Sequence, residues 1–210
     1  MFVNKIGRIH LEYGKNCQDY GMAAEKIRMV CDGCSEGAHT EVGVKVFVHL
    51  TRQGFGVEEA FEKLMELLGQ STEAVRDFLC FTMIRVEEEK DAYQVYFWGD
   101  GYVILEDTEG TVTFRELKGG VYPEYYAYNY VAPDRLKYYK DGVKIKELTF
   151  GKDRYRRVGA ATDGLRYLIQ GEQKLLDEFT AALRLDQEVK VKRLINRYRT
   201  LFKDDLTIAW

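Results

Sequence analysis

Proline is almost missing from this chain: Pro123 and Pro133 are the only two in 210 residues, and no Gly/Ser-rich stretch separates one part from another. With no linker to divide it, the chain is expected to form a single unit over residues 1–210, a length that supports a sizeable core. Cysteine is scarce too. Cys17, Cys31, Cys34 and Cys80 do not make a disulfide framework, and in a reducing compartment they are thiols unless a metal takes them. No apolar run approaches the roughly 20 residues that cross a bilayer, and the opening MFVNKIGRIH lacks the parts of a signal peptide. A cytoplasmic location and no membrane partner are therefore expected. Nor is there a basic block. The net charge is -3, with 31 Lys and Arg spread along the chain against 34 Asp and Glu, which argues against a nucleic-acid partner.

What the chain does have is apolar and aromatic bulk: 46% hydrophobic residues with 15 Tyr and 11 Phe, enough to fold. Apolar spacing predicts helices over His39–Gln53 and Val57–Leu68, and a helical block over Glu172–Phe202 that divides near Leu185. Strands are expected at Phe2–His10, Ile27–Cys31, Phe78–Val86, Tyr93–Trp98, Tyr102–Leu105, Thr111–Leu117, Leu136–Tyr139, Val143–Phe150, Arg156–Thr162 and Leu206–Trp210. Strands, two helices, many strands, two helices and a last strand predict an α+β fold of antiparallel sheets covered by helices, rather than alternating βα units. The tyrosine-rich stretch Gly119–Pro133 is expected to run irregularly over the surface, as a covering segment or a substrate-facing loop.

Asp-Gly occurs four times, and by itself marks a turn. Asp100-Gly101 and Asp141-Gly142 have strand pattern on both sides and are expected to be hairpin turns. Asp32-Gly33 and Asp163-Gly164 each end an apolar strand and lead toward helical pattern, a place where loops commonly carry function. Asp204 and Asp205 open the last strand, and Asp19 precedes another. These acids are either separate solvated turns or a converging set. Carboxylates held together raise one another's pKa unless a cation lies between them, and hard ions such as Mg²⁺ or Mn²⁺ prefer oxygen donors.

A zinc site at Cys31-x-x-Cys34 would need two more soft ligands from Cys17, Cys80, His10 and His39, and no second paired CxxC exists. Strand alternation turns Cys31 away from the side chain of Asp32, toward the core. The cysteines are therefore expected to be packing or loop thiols, His10 and His49 structural, and Trp98 and Trp210 core.

The segments "GRIHLEYGKNCQDYG", "VCDGCSEGAHTEVG", "FWGDGYVILED", "GAATDGL" and "DDLTIAW" resemble, in order, the motifs of the metal-dependent serine/threonine protein phosphatases (PPM, type 2C), in particular a bacterial subgroup. The resemblance runs from about Gly7 to Trp210. It implies a four-layer α-β-β-α sandwich with two central antiparallel sheets and a binuclear Mn²⁺ or Mg²⁺ site at one end. Carried over, Asp32 resembles the acid that bridges both ions and Gly33 the residue whose carbonyl binds one. Asp163 and Asp204 resemble further ligands, with Asp205 where Asn is usual, and Asp19 the acid that reaches an ion through water. Asp77, in "DFLCFT", stands where an acid would hold a more labile third ion.

Departures from the pattern fall on the rest of the site. The Arg that many relatives place about five residues before the first acid is Gly14 here, so Lys15 or Arg8 is expected to hold substrate phosphate. Where a His has been proposed as general acid after Asp-Gly, this chain has Cys34, with His39 five residues on. The activity implied is hydrolysis of phosphoserine or phosphothreonine in proteins, the products of a Ser/Thr kinase, by a metal-activated water, with Asp32 and Asp19 at the catalytic centre. A phosphatase-like binding module without turnover, or a small-molecule phosphatase on the same site, is compatible with the same motifs.

Overall fold

The structure, a computed structural model, describes residues 1–131, 138–139 and 141–210. Among the described residues ten strands form two five-stranded sheets, and every pairing between them is antiparallel. In chain order the strands are β1 (Phe2–Lys5), β2 (Tyr20–Ala23), β3 (Ile27–Gly33), β4 (Phe81–Glu88), β5 (Ala92–Trp98), β6 (Gly101–Asp107), β7 (Val112–Leu117), β8 (Lys146–Gly151), β9 (Tyr155–Ala161) and β10 (Leu206–Ala209). One sheet has the order β1-β10-β9-β6-β7, the other β2-β3-β4-β5-β8.

Strand alternation accounts for the layering. Val30, Ile84, Val86, Val95 and Phe97 of one sheet meet Val103, Leu105, Val158, Ala160 and Ala209 of the other in an apolar layer between the sheets. Their neighbours in sequence point the other way. Met29, Cys31, Phe81, Met83 and Trp98 pack under the helices α2 (Thr40–Arg52) and α3 (Val57–Leu68) through Val44, Phe47, Phe61 and Leu64. On the opposite outer face Tyr102, Ile104, Ala161, Ile208 and Trp210 pack against two helices near the C-terminus, over Gln173–Arg184 and Glu188–Arg197. The α-β-β-α sandwich and its antiparallel sheets are thus as expected. Cys31, Trp98 and Trp210 are buried in the core.

Three expectations change. The first strand ends at Lys5, where its register with β10 stops at Lys5 opposite Leu206. Residues Arg8–Glu12 instead form the short helix α1, because Arg8 and Ile9 donate their N–H groups to the carbonyls of Phe202 and Lys203 and turn the chain. Phe78 and Leu79 belong to a wide helical turn, Val75–Leu79, before β4 begins. Asp100-Gly101 is not a hairpin turn: β5 and β6 lie in different sheets, and this corner carries the chain across from one to the other. Gly99 sits there at φ +79°, a conformation glycine adopts without steric cost.

The strand expected at Leu136–Tyr139 falls mainly outside the described residues; Tyr138 and Tyr139 are not in a strand, and the turn at Asp141-Gly142 is followed by strand only from Lys146. The tyrosine-rich stretch serves two purposes. Tyr126, Ala127 and Tyr128 are buried beside α3, with the Tyr126 ring stacked 5.1 Å from Trp98. Residues Gly119 to Tyr125 lie over the open end of the sandwich.

Candidate active site

At that end, the inner faces of both sheets finish in acids. Asp32 follows Val30 by two residues on β3 and so keeps the face that looks between the sheets, opposite Thr82 of β4. Asp163 follows β9 at the start of a tight turn, Asp163–Leu165, and Asp204 precedes β10. Gly164 allows these two ends to meet, since a Cβ there would overlap the Asp205 carbonyl. Asp32, Gly33, Asp100, Asp163 and Asp204 line one cleft of about 360 Å³, with Ser35, Thr82 and Glu124 also in its wall.

Asp19 lies beneath them and is 1% exposed. It is pinned between the sheets: Thr162 donates its hydroxyl to Asp19 Oδ2 at 2.6 Å, and Asn4 Nδ2 donates to the Asp19 carbonyl at 3.0 Å. Burial and then the charge of Asp205 push the Asp19 carboxyl well above the usual carboxylate range. Burial and then the charges of Asp19 and Asp204 do the same to Asp32, whose carboxyl lies beside that of Asp19. Asp163 Oδ1 is buried with no hydrogen-bond partner among the described residues, while its Oδ2 contacts the Arg166 guanidinium.

These features fit a hard divalent cation. The donors are all oxygens, one of them is orphaned, and Arg166 supplies positive charge beside Asp163. The acids ring the cleft rather than close on a point: among the described residues no three of His, Cys, Asp or Glu already form a metal-holding group.

The structure therefore brings together Asp19, Asp32, Gly33, Asp163 and Asp204. It does not bring Asp77, which is absent from the cleft wall. Asp77 is paired with Arg76 (Nε to Oδ1, 2.8 Å), and its carbonyl accepts the His39 N–H, so it holds the loop that leads into α2. Arg76 beside it keeps the Asp77 carboxyl below its ordinary value. Arg8 points along α1 to Glu12 at 2.6 Å and is exposed. Lys15 reaches the rim, where its ammonium donates to the carbonyl of Ser35.

Two residues of the site were not expected from sequence. Asp100 has the same Asp-Gly signal as Asp32 and Asp163, but strand pattern on both sides disguised a corner between sheets as a hairpin. Arg166, two residues beyond Gly164, has no distinguishing pattern. Among the described residues the cysteines gather no zinc site: Cys31 faces the core, while Cys34 and Cys80 line an adjoining, largely apolar cavity of about 210 Å³ with Tyr125, Val75 and Arg76. Burial, and then Cys34 beside it, raise the Tyr125 hydroxyl pKa strongly.

An acid-lined, oxygen-donor cleft at one end of an α-β-β-α sandwich is thus the site this fold defines. The same fold is found in bacterial serine/threonine phosphatases. The serine/threonine phosphatase Stp1 from Staphylococcus aureus aligns over 99% of this chain and 92% of its own, with a TM-score of 0.62 at 11% identity. The catalytic domain of the serine/threonine protein phosphatase PstP, solved with two manganese ions, aligns over 99% and 94% (TM-score 0.60, 15% identity). RsbX, solved with magnesium, aligns over 99% and 90% (TM-score 0.55, 18% identity). By sequence, no family model matches the chain, and no curated protein matches it.

Proposed function

We propose that this chain is a Mn²⁺- or Mg²⁺-dependent protein phosphatase, acting as one unit over residues 1–210 on phosphoserine or phosphothreonine left by a Ser/Thr kinase. The observation that carries the reading is the convergence of acids from both sheets on one cleft, with the Asp19 and Asp32 carboxyls side by side and one oxygen of Asp163 orphaned. Asp32, the Gly33 carbonyl, Asp163 and Asp204 would hold two ions, with Asp19 behind them. Bound there, the ions supply positive charge to the phosphoryl oxygens and make water a stronger nucleophile.

The chain's own residues do the rest. Thr162 and Asn4 hold Asp19 in place, so that its oxygens meet the cleft in a fixed direction. Residues Gly119 to Tyr125 wall the cleft and limit the approach of water. Lys15, at the Ser35 rim, is the cation placed to meet the phosphate dianion, whereas Arg166 is held on Asp163. Asp100 stands in the same wall, where a third ion would find a carboxylate; that role passes to it from Asp77. No disulfide joins any of the four cysteines, which suits a reducing, cytoplasmic setting.

The test is hydrolysis of p-nitrophenyl phosphate and of a phosphothreonine peptide in Mn²⁺, in Mg²⁺ and in EDTA, with Asp32→Asn alongside. Turnover that needs the metal and disappears in the variant supports the reading. Metal binding without turnover on either substrate would replace it with a phosphatase-like binding module.

A further inference from the structure

Asp205, His10 and Ser35 touch in series and end in the cleft, and the chemistry above makes no use of them. Asp205 is 2% exposed. Its Oδ1 accepts the Gly7 N–H and its Oδ2 the Gln18 N–H, both at 2.6 Å. His10 Nδ1 lies 2.9 Å from the same Oδ2, close enough for the carboxylate to favour a hydrogen on that nitrogen, although the pair is not aligned as a hydrogen bond. The other ring nitrogen, Nε2, is 3.1 Å from Ser35 Oγ. His10 is itself buried, so it meets the cleft only through Ser35, which is exposed in the cleft wall and held from behind by Lys15 on its carbonyl.

A serine or threonine phosphoester has a poor leaving group. The departing alkoxide is a strong base, and its release is fast only if a proton arrives as the bond breaks. Of the two candidates suggested by sequence, Cys34 stands half-buried in the cleft wall beside Tyr125, without a proton supply of the kind His10 offers Ser35, and His39 is exposed, stacked at 5.8 Å on Phe78 and absent from the cleft wall.

We propose, resting on the phosphatase reading, that Ser35 is the proton donor to the leaving oxygen and that His10, oriented by Asp205, supplies the proton through it. As the P–O bond to the leaving oxygen breaks, the Ser35 hydroxyl proton passes to that oxygen. Protonated His10 then passes its Nε2 proton to Ser35 and is left neutral, with its remaining hydrogen on Nδ1 beside Asp205. The attacking water gives one proton to solvent and keeps the other on phosphate, and solvent restores the proton on His10. Phosphoester and water become alcohol and phosphate with no further reagent. Asp205 is a positioning residue in this scheme, because it touches neither substrate nor the reacting atoms.

The experiment compares two leaving groups. p-Nitrophenolate departs without a proton, whereas threonine does not. With the full chain in Mn²⁺, His10→Gln and Ser35→Ala are expected to lower kcat on the phosphothreonine peptide by about 100-fold or more, the usual span of general acid catalysis, and to leave kcat on p-nitrophenyl phosphate within about threefold. Ser35→Thr, which keeps a hydroxyl, is expected to restore most of the peptide activity. Ser35 is exposed, so Ser35→Ala tests the idea even if the buried His10 variant is poorly folded. Equal losses on both substrates, or none on the peptide, would overturn the proposal. Absence of metal-dependent turnover by the unaltered chain on either substrate would overturn the phosphatase reading, and the proposal with it.

Discussion

Asp205 offers a direct test of how the two ends of the chain are tied together. Its carboxylate accepts the N–H of Gly7, at the start of α1, and the N–H of Gln18, ahead of β2, each at 2.6 Å, from a position just before β10. Three segments that are remote in sequence thus meet on one buried side chain. A hydrogen bond to a charged group contributes about 1.5–3 kcal/mol, and a buried donor left without a partner costs about 1–3 kcal/mol. Asp205→Ala removes both acceptors and strands both N–H groups, so a loss of about 4 kcal/mol is expected, against about 2 kcal/mol for Asp205→Asn, which keeps one oxygen. For a chain of this size about 4 kcal/mol corresponds to a Tm lower by about 8–16 °C. The assay is urea and thermal unfolding of the metal-free protein in EDTA, which removes any contribution from ion binding. A loss below about 1 kcal/mol for Asp205→Ala would refute the reasoning, since it would mean that neither N–H depends on this carboxylate.

Further outcomes follow from the same geometry. Asp32→Asn is expected to reduce metal-dependent turnover by at least about 100-fold, while leaving the metal-free protein as stable as the parent by urea unfolding; near-normal turnover would remove Asp32 from the centre. In EDTA, Asp19 and Asp32 bind more protons in the fold than in the unfolded chain, because their folded pKa values are raised; their contribution is full below about pH 4 and is lost as pH rises. The stability difference between the parent and Asp19→Asn/Asp32→Asn should therefore move in the variant's favour from about pH 5 to about pH 8, and a flat difference would contradict the buried pair. At an Mn²⁺ concentration about 100 times its Kd, Tm should rise by about 5–11 °C, and Asp163→Asn should reduce that shift. Arg166→Ala removes a cation that competes for Asp163; since the pair is partly exposed and worth at most about 1 kcal/mol, half-maximal turnover should need up to about fivefold less Mn²⁺, and a requirement for more would assign Arg166 to binding the ion's substrate rather than to competing with it.

Much of this architecture was legible in the amino-acid order. Apolar spacing located α2 and α3 to within a residue or so, and the strand series predicted antiparallel sheets, because burial imposes a period of 3.6 on a helix and of 2 on a strand. The same alternation placed Cys31 in the core and Asp32 on the face between the sheets. Asp32, Asp163 and Asp204 stood out as acids at strand ends, a local property. Asp77 and Asp100 show the limit. Each is an acid beside a strand, and only the path of the chain separates them: Asp77 turns to Arg76 and the loop before α2, whereas Asp100 sits at the crossing from β5 to β6 and so arrives in the cleft.

What the sequence by itself determined is the set of elements and which face of each is apolar, since periodicity and turn chemistry act over a few neighbouring residues. Only the tertiary structure decided which acids share a cleft and that His10 lies between Asp205 and Ser35. Those groups come from segments remote in sequence, joined by strand pairing and by packing two sheets face to face. Spacing along the chain carries no record of distances set in that way.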